Sequence, residues 1–370
     1  MIVMKFGGTS VGTGERIANV ARLTQRAMEK TGEAPVVVVS AMNGVTNSLR
    51  RGAETAAAGD QETFRLIRRE LQERHFQAIS ECVTDVELAR GLRAEVSELL
   101  YGFEILCQSI YTLGELTPRG MDAVSGLGER LSARVVAAAM RSLGVKAQMV
   151  EATEIIITDD QFGAAVPLFE ETIPRVRARL LPLIQEKIVP VVTGFIGATR
   201  QGVPTTLGRG SSDYSATILG RCLLAQEVWI WTDVDGVMTA DPRIVPDART
   251  LPTISYGEVA ELSFFGAKVL HPMTMQPVAQ MDIPVRVLNS FNPGHPRSQP
   301  DYCGGARNAG GARRGGARVH SGSAKRGERL DDYPVFIGAK YLFRLAYSRY
   351  AWRGQGRGRG TGARIDPWEH

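Results

Sequence analysis

Two short stretches of this chain hold the residue types that phosphate chemistry requires. Lys5-Phe6-Gly7-Gly8-Thr9-Ser10 places an amine ahead of a double glycine and two hydroxyls. Thr232-Asp233-Val234-Asp235-Gly236-Val237-Met238-Thr239-Ala240-Asp241-Pro242-Arg243 sets two early carboxylates, a tight glycine turn and a closing arginine in one row. Each follows an apolar run, Met1 to Met4 in the first case and Glu227-Val228-Trp229-Ile230-Trp231 in the second. Runs of this kind read as buried strands, and ligands of open α/β sheets bind just beyond the carboxyl ends of strands. The two turns together mark a site for a phosphorylated nucleotide. The spacing of a P-loop is absent, as are the signatures of protein kinases, so the nucleotide site is of another kind.

A third stretch, Leu207-Gly208-Arg209-Gly210-Ser211-Ser212-Asp213, lies within a glycine- and serine-rich loop ahead of a helix. Glycines let a ligand approach the backbone, and the helix that follows points its first amides at an anion. Ser211 or Ser212 suits the helix cap and Asp213 suits the dipole. Arg209, between two glycines, offers a planar fork to a carboxylate or phosphate. Glu129 begins another helix, where the dipole alone favours a glutamate. Lys268 and His271 close a helical stretch, with dipole complementation for the first and capping or packing for the second. No Ser-His-Asp set, metal-binding histidine cluster or catalytic carboxylate pair follows from spacing.

The elements that would carry these residues alternate. Met1 to Met4 and Pro35 to Val39 read as strands around a helix from Glu15 to Lys30, a unit that predicts a right-handed parallel crossover. Gln61 to Leu116 is charged and amphipathic, with apolar positions at Phe64, Leu66, Ile67, Leu71 and Phe76, and predicts a helical segment or lid outside the sheet. Helices over Glu129–Leu143, Leu168–Glu186 and Tyr214–Leu224 separate strands at Lys146–Val150, Ile188–Val192 and Glu227–Trp231. The stretch from Thr193 to Gly197 reads as a strand end, and Thr205 to Asp213 as a loop. The class predicted is α/β, with a largely parallel central sheet flanked by helices.

At 370 residues the chain can bury a sizeable core, as one large or two ordinary domains. Its net charge of +5 is unevenly placed. Residues 301–370 hold 14 Lys and Arg against 6 Asp and Glu, which leaves the first 300 residues with 30 against 33. The body is mildly acidic, so a basic face for nucleic acid is not expected there. Four separated cysteines show no zinc or redox spacing, and neither a signal peptide nor a membrane-length apolar run is visible. A cytoplasmic enzyme with reduced thiols is the expectation.

Taken in order, Lys5–Ser10, Ser40–Asn47, Leu127–Ser132, Thr193–Gly197, Thr205–Ala216, Thr232–Arg243 and Phe264–Pro272 resemble the aspartate kinases of the amino-acid kinase superfamily. The resemblance covers Met1 to about Pro296, predicting a catalytic domain over residues 1–296. It implies the amino-acid kinase fold and transfer of the ATP γ-phosphoryl group to the side-chain carboxylate of L-aspartate, giving 4-phospho-L-aspartate on the route to lysine, threonine and methionine. It implies Lys5 and Asp213 as the catalytic pair. Arg209 would hold the α-carboxylate and Glu129 the ammonium, with Thr46, Phe195 and Ser212 lining the aspartate pocket. Gly7, Gly8 and Ser10 would approach the phosphates, and Thr232, Asp233, Arg243 and Lys268 would contact the nucleotide. Mg2+ would bridge the phosphates, its protein ligands unassigned. Partners are L-aspartate and ATP, without nucleic acid or membrane for the body, and a homo-oligomer is left open. The alternatives are another carboxylate kinase of the superfamily, or an inactive regulatory homologue.

In the family, Asn289–Pro296 leads on into two small regulatory ACT domains. Here Arg297-Ser298-Gln299-Pro300 departs, and no βαββαβ pattern follows. Residues 297–370 are expected to be an irregular Gly/Arg-rich tail, disordered or aberrant, because such composition buries too little apolar surface to offset ordering entropy. Out-of-frame reading of a GC-rich gene yields text of this kind, and a nucleic-acid-binding tail is the rival reading. Feedback by lysine or threonine, which the ACT domains carry in the family, is left in doubt.

Overall fold

The structure, a computed structural model, describes residues 1–208, 210–239, 244, 245, 247–251, 253–264, 270 and 272–293. The expected tail over 297–370, together with Arg209, Arg243, Lys268 and His271, lies outside the described residues.

The first half runs β1 (Ile2–Phe6), α1 (Gly14–Thr31), β2 (Val36–Val39), α2 (Val45–Ala57), α3 (Gln61–Cys82), α4 (Val86–Leu113), α5 (Pro118–Ser125) and α6 (Leu127–Ser142). Then come β3 (Ala147–Val150), α7 (Ala152–Ile155), β4 (Ile157–Thr158), α8 (Phe169–Gln185), β5 (Val189–Thr193), β6 (Ile196–Thr199) and β7 (Pro204–Thr206). The last described elements are α9 (Ser211–Leu223), β8 (Glu227–Thr232), α10 (Tyr256–Phe264), α11 (Pro272–Ala279) and β9 (Val285–Asn289). Capping explains several boundaries: the side chains of Thr13, Asp60, Asp85 and Thr117 accept from first-turn amides of α1, α3, α4 and α5.

The six-stranded sheet has the order β3-β5-β2-β1-β8-β9 and every pairing is parallel. From β1 the chain first builds outward through β2, and only later returns to place β8 on the other side. The ends of β1 and β8 therefore form the switch point where a crevice opens. Strand alternation sorts the core onto two faces. Met4, Phe6, Val37, Val39, Trp229 and Trp231 join α1, α2, α3, α4 and α6 in one apolar cluster. Val3, Val36, Val38, Val228 and Ile230 face α8, α9 and α11 in the other.

Alternation also settles where Lys5 points, since it shares the side of Val3, toward α9. Expectation and structure differ in three places. The strand expected to end at Gly197 breaks after Thr193: Phe195 has φ +67 and the chain restarts as β6. A β-carbon on Gly194 would stand 2.9 Å from Val39 O and from Ser212, so only glycine fits this break. The expected loop from Thr205 begins instead as β7, antiparallel to β6 in a second sheet of order β4-β6-β7. The cap of α9 is Gly210 in the left-handed region, not Ser211 or Ser212, which lie inside the first turn. The segment read as a lid is helical, and α3 and α4 share the first apolar cluster with the sheet.

Candidate active site

A cleft of about 600 Å3 opens beside the end of β1. It is lined by Lys5, Thr46, Glu129, Phe195, Ser212 and Asp213, all expected from the sequence. Four elements and the turn after β5 deliver them: β1, α2, α6 and the first turn of α9, with Gly208 and Gly210 completing that wall. Both glycines sit at positive φ (+83 and +69), a conformation that favours glycine.

Lys5 Nζ lies 2.6 Å from Asp213 Oδ1, with the two side chains 10% and 17% exposed. The ammonium is thus held before any ligand arrives. Asp213 stands in the first turn of α9, where the helix dipole favours its charge. Glu129 is 3% exposed. Its Oε1 accepts from Ala41 N at 3.0 Å, while Oε2 is buried without a hydrogen-bond partner among the described residues. Burial pushes this carboxyl up to about 8, against the pull of the Ala41 amide and of Lys5. A buried carboxyl with a vacant oxygen at a cleft wall is suited to a cationic partner. Phe195 is kept in its left-handed conformation by Ser215 Oγ, which accepts from Phe195 N at 2.9 Å, and by Leu207 N donating to its carbonyl. Holding a non-glycine residue this way costs about 1 kcal/mol or more, a strain that clusters at functional sites.

The described residues expected at the nucleotide, Gly7, Gly8, Ser10, Thr232 and Asp233, fall at the same end of the sheet but outside the cleft wall. Gly7 N donates to Trp231 O, which ties the turn after β1 to the end of β8, and Asn43 N donates to Gly8 O. Thr232 closes β8 and hydrogen-bonds Asp233. Ser10 is 1% exposed, and its hydroxyl is shared with Ser290 Oγ at 2.8 Å. It ties the turn after β1 to the end of β9 and is not among the residues that line the cleft. Asp235 is taken up by Asn289.

Sequence reasoning missed Arg50, Asp122 and Ser125, which also line the cleft. Asp122 is 2% exposed and receives three donors: Gly163 N, Thr206 N and Thr206 Oγ1, at 2.9, 2.9 and 2.7 Å. It pins β7 and the 159–164 loop to α5. No local signal reveals this partnership, whereas the four-residue spacing of Thr46 and Arg50 could have revealed Arg50 as a second residue on that helix face.

This sheet order and cleft are accompanied by a match of residues 1–289 to the amino acid kinase family. The chain belongs to the amino acid kinase family. Among amino acid kinases it is similar to aspartokinase 1, chloroplastic, of Arabidopsis thaliana, with 41% identity over 303 residues covering 80% of this chain and 51% of the relative. Its fold is similar to E. coli aspartokinase III solved in complex with aspartate and ADP, at TM-score 0.73 and 33% identity, covering 79% of this chain and 62% of that one. Aspartate kinase from Clostridium acetobutylicum matches at TM-score 0.61 and 25% identity, covering 79% of this chain and 60% of that one. The chain spans about half the length of the curated relatives it matches. Among the described residues no helix is long and apolar enough to cross a membrane.

Proposed function

We propose that this amino acid kinase transfers the γ-phosphoryl group of ATP to the side-chain carboxylate of L-aspartate, giving 4-phospho-L-aspartate, through a catalytic unit over residues 1–296. The observation that carries the reading is the Lys5–Asp213 pair at the wall of a cleft that the vacant Glu129 carboxyl also lines. The likeness to aspartokinases supports it.

A carboxylate acceptor is ionised at neutral pH, so no general base is needed and catalysis reduces to positioning and charge stabilisation. Lys5 is placed to neutralise charge on the phosphoryl oxygens as the bond to the leaving group breaks, and Asp213 fixes the ammonium in place. Glu129 takes the ammonium of aspartate, with Thr46, Phe195 and Ser212 shaping the pocket and Arg209 assigned to the α-carboxylate. Gly7 and Gly8 border the phosphates, and Thr232, Asp233, Arg243 and Lys268 are assigned to the nucleotide. Ser10 supports the phosphate turn from behind.

Among the described residues no three His, Cys, Asp or Glu side chains gather as a metal site. That suits Mg2+, which keeps most of its ligands as phosphate oxygens and water and takes one or two carboxylates from a protein. Its contribution when bound is neutralisation of phosphate charge. A cytoplasmic setting is consistent with the free, buried thiols of Cys82, Cys107 and Cys222.

The test is acyl-phosphate trapping as hydroxamate, run beside ADP release, with aspartate, glutamate, N-acetylglutamate and carbamate as acceptors. Aspartate alone should give both signals. Faster turnover of another acceptor would reassign the substrate, and no ADP with any acceptor would sink the kinase reading.

A further inference from the structure

Arg50 carries a charge that nothing in the described protein answers. It lines the cleft from α2, and among the described residues no hydrogen bond, ion pair or ring contact engages its guanidinium. The other charged residues of the cleft wall are accounted for. Lys5 and Asp213 neutralise one another at 2.6 Å. Asp122 is saturated by three donors. Glu129 is held near neutrality by burial. Arg50 is therefore the charged side chain of the described wall that no protein group engages, and it is exposed at the opening.

Its position on α2 narrows what it could meet. Thr46 and Arg50 are four residues apart on one helix, so they share a face about 6 Å apart along the axis. An acceptor resting on Thr46, with its reacting carboxylate turned to Lys5, leaves its remaining charges to be met by the surrounding wall. Its cation goes to Glu129. Its second anion has Arg50 as the unengaged partner among the described residues, a planar fork that fits a carboxylate in two contacts.

We propose that Arg50 binds the non-reacting carboxylate of the acceptor, beside the contact assigned to Arg209, and that it sets the preference for dicarboxylic amino acids. This rests on the aspartate reading above. The interaction is made alike in the ground state and the transition state, so it acts on KM and leaves kcat in place.

The experiment compares wild type, Arg50→Leu and Arg50→Lys with L-aspartate, and with its α-carboxamide as a competitive inhibitor, which needs no turnover. Arg50→Leu should raise KM for aspartate about tenfold, the size of one charge-assisted hydrogen bond. Its kcat should stay within about twofold. The inhibition constant of the α-carboxamide should not move, and Arg50→Lys should recover most of the loss. Should Arg50→Leu fold poorly by its thermal midpoint, Arg50→Gln replaces it. An unmoved KM, or an equal loss for aspartate and its α-carboxamide, overturns the proposal. A wild-type chain without aspartate-dependent ADP release sinks the substrate reading itself, and this proposal with it.

Discussion

Lys5 Nζ and Asp213 Oδ1 meet at 2.6 Å across the gap between β1 and the first turn of α9. The contact joins the end of a central strand to a helix start, so the ammonium is oriented by two rigid elements rather than by a loop. Lys5→Met should lower kcat by about 10²–10³, the usual cost of removing one preorganised charge donor. Asp213→Asn should lower it less, because the lysine remains but loses its orientation. The double variant should fall well short of the product of the two losses, since both act through one contact. Multiplicative losses in steady-state kinetics would show that the residues work separately.

Glu129 should make both substrate binding and stability depend on pH. In the empty cleft its carboxyl holds a proton up to about pH 8, and only the carboxylate pairs with an ammonium. KM for aspartate should therefore fall as pH rises toward 8, by at most about tenfold per unit. Stability runs the other way. The folded value lies above the ordinary carboxyl value of 4.5, so this group's contribution is full below pH 4.5 and is lost as pH climbs through about 8. Glu129→Gln should flatten both profiles and raise KM throughout. Parallel pH profiles of wild type and Glu129→Gln, in kinetics and in thermal midpoint, would remove the assigned role.

Gly7 and Gly8 should respond differently to the same methyl group. A β-carbon on Gly7 would find only Lys5 Nζ at 3.5 Å and Trp231 O at 3.6 Å, ordinary contacts. Gly7→Ala should keep the wild-type thermal midpoint and raise KM for ATP, because the methyl occupies space left for phosphate. On Gly8 it would stand 2.9 Å from the Ala41 carbonyl, which is backbone and cannot step aside cheaply. Gly8→Ala should lower the thermal midpoint as well as activity. Normal ATP kinetics in Gly7→Ala would place the phosphates elsewhere.

Asp122 should behave as a structural pin of the acceptor wall. Asp122→Ala strands the buried amide and hydroxyl of Thr206 and releases the Gly163 amide, a loss of about 3 kcal/mol. Since Thr206 and Gly163 line the cleft, KM for the acceptor should rise with little change in KM for ATP. Denaturant unfolding and the two KM values check this, and an unchanged unfolding midpoint would contradict it.

Much of the scaffold was legible locally. Apolar runs such as Val36–Val39 and Val228–Trp231 are strands buried on both faces, and they announce a parallel sheet because only such sheets bury both faces. Thr13 and Gly32 bracket α1 as a cap and a left-handed stop. The break at Phe195 was not legible, since a phenylalanine gives no local sign of a positive φ; that conformation is imposed by Ser215 and Leu207. The short β6–β7 hairpin escaped for a related reason, as three- and four-residue strands carry too little alternation to register.

The sequence by itself determined which residues could do chemistry and which elements carry them, because side-chain type and burial period are local properties. The tertiary structure decided who meets whom. Lys5 finds Asp213, and Asp122 finds Thr206, because the sheet order sets β8 beside β1 and folds β7 back over α5. Arg50 stands unanswered at the cleft for the same reason: its surroundings come from strands and loops distant in the chain, and their assembly depends on how the layers pack.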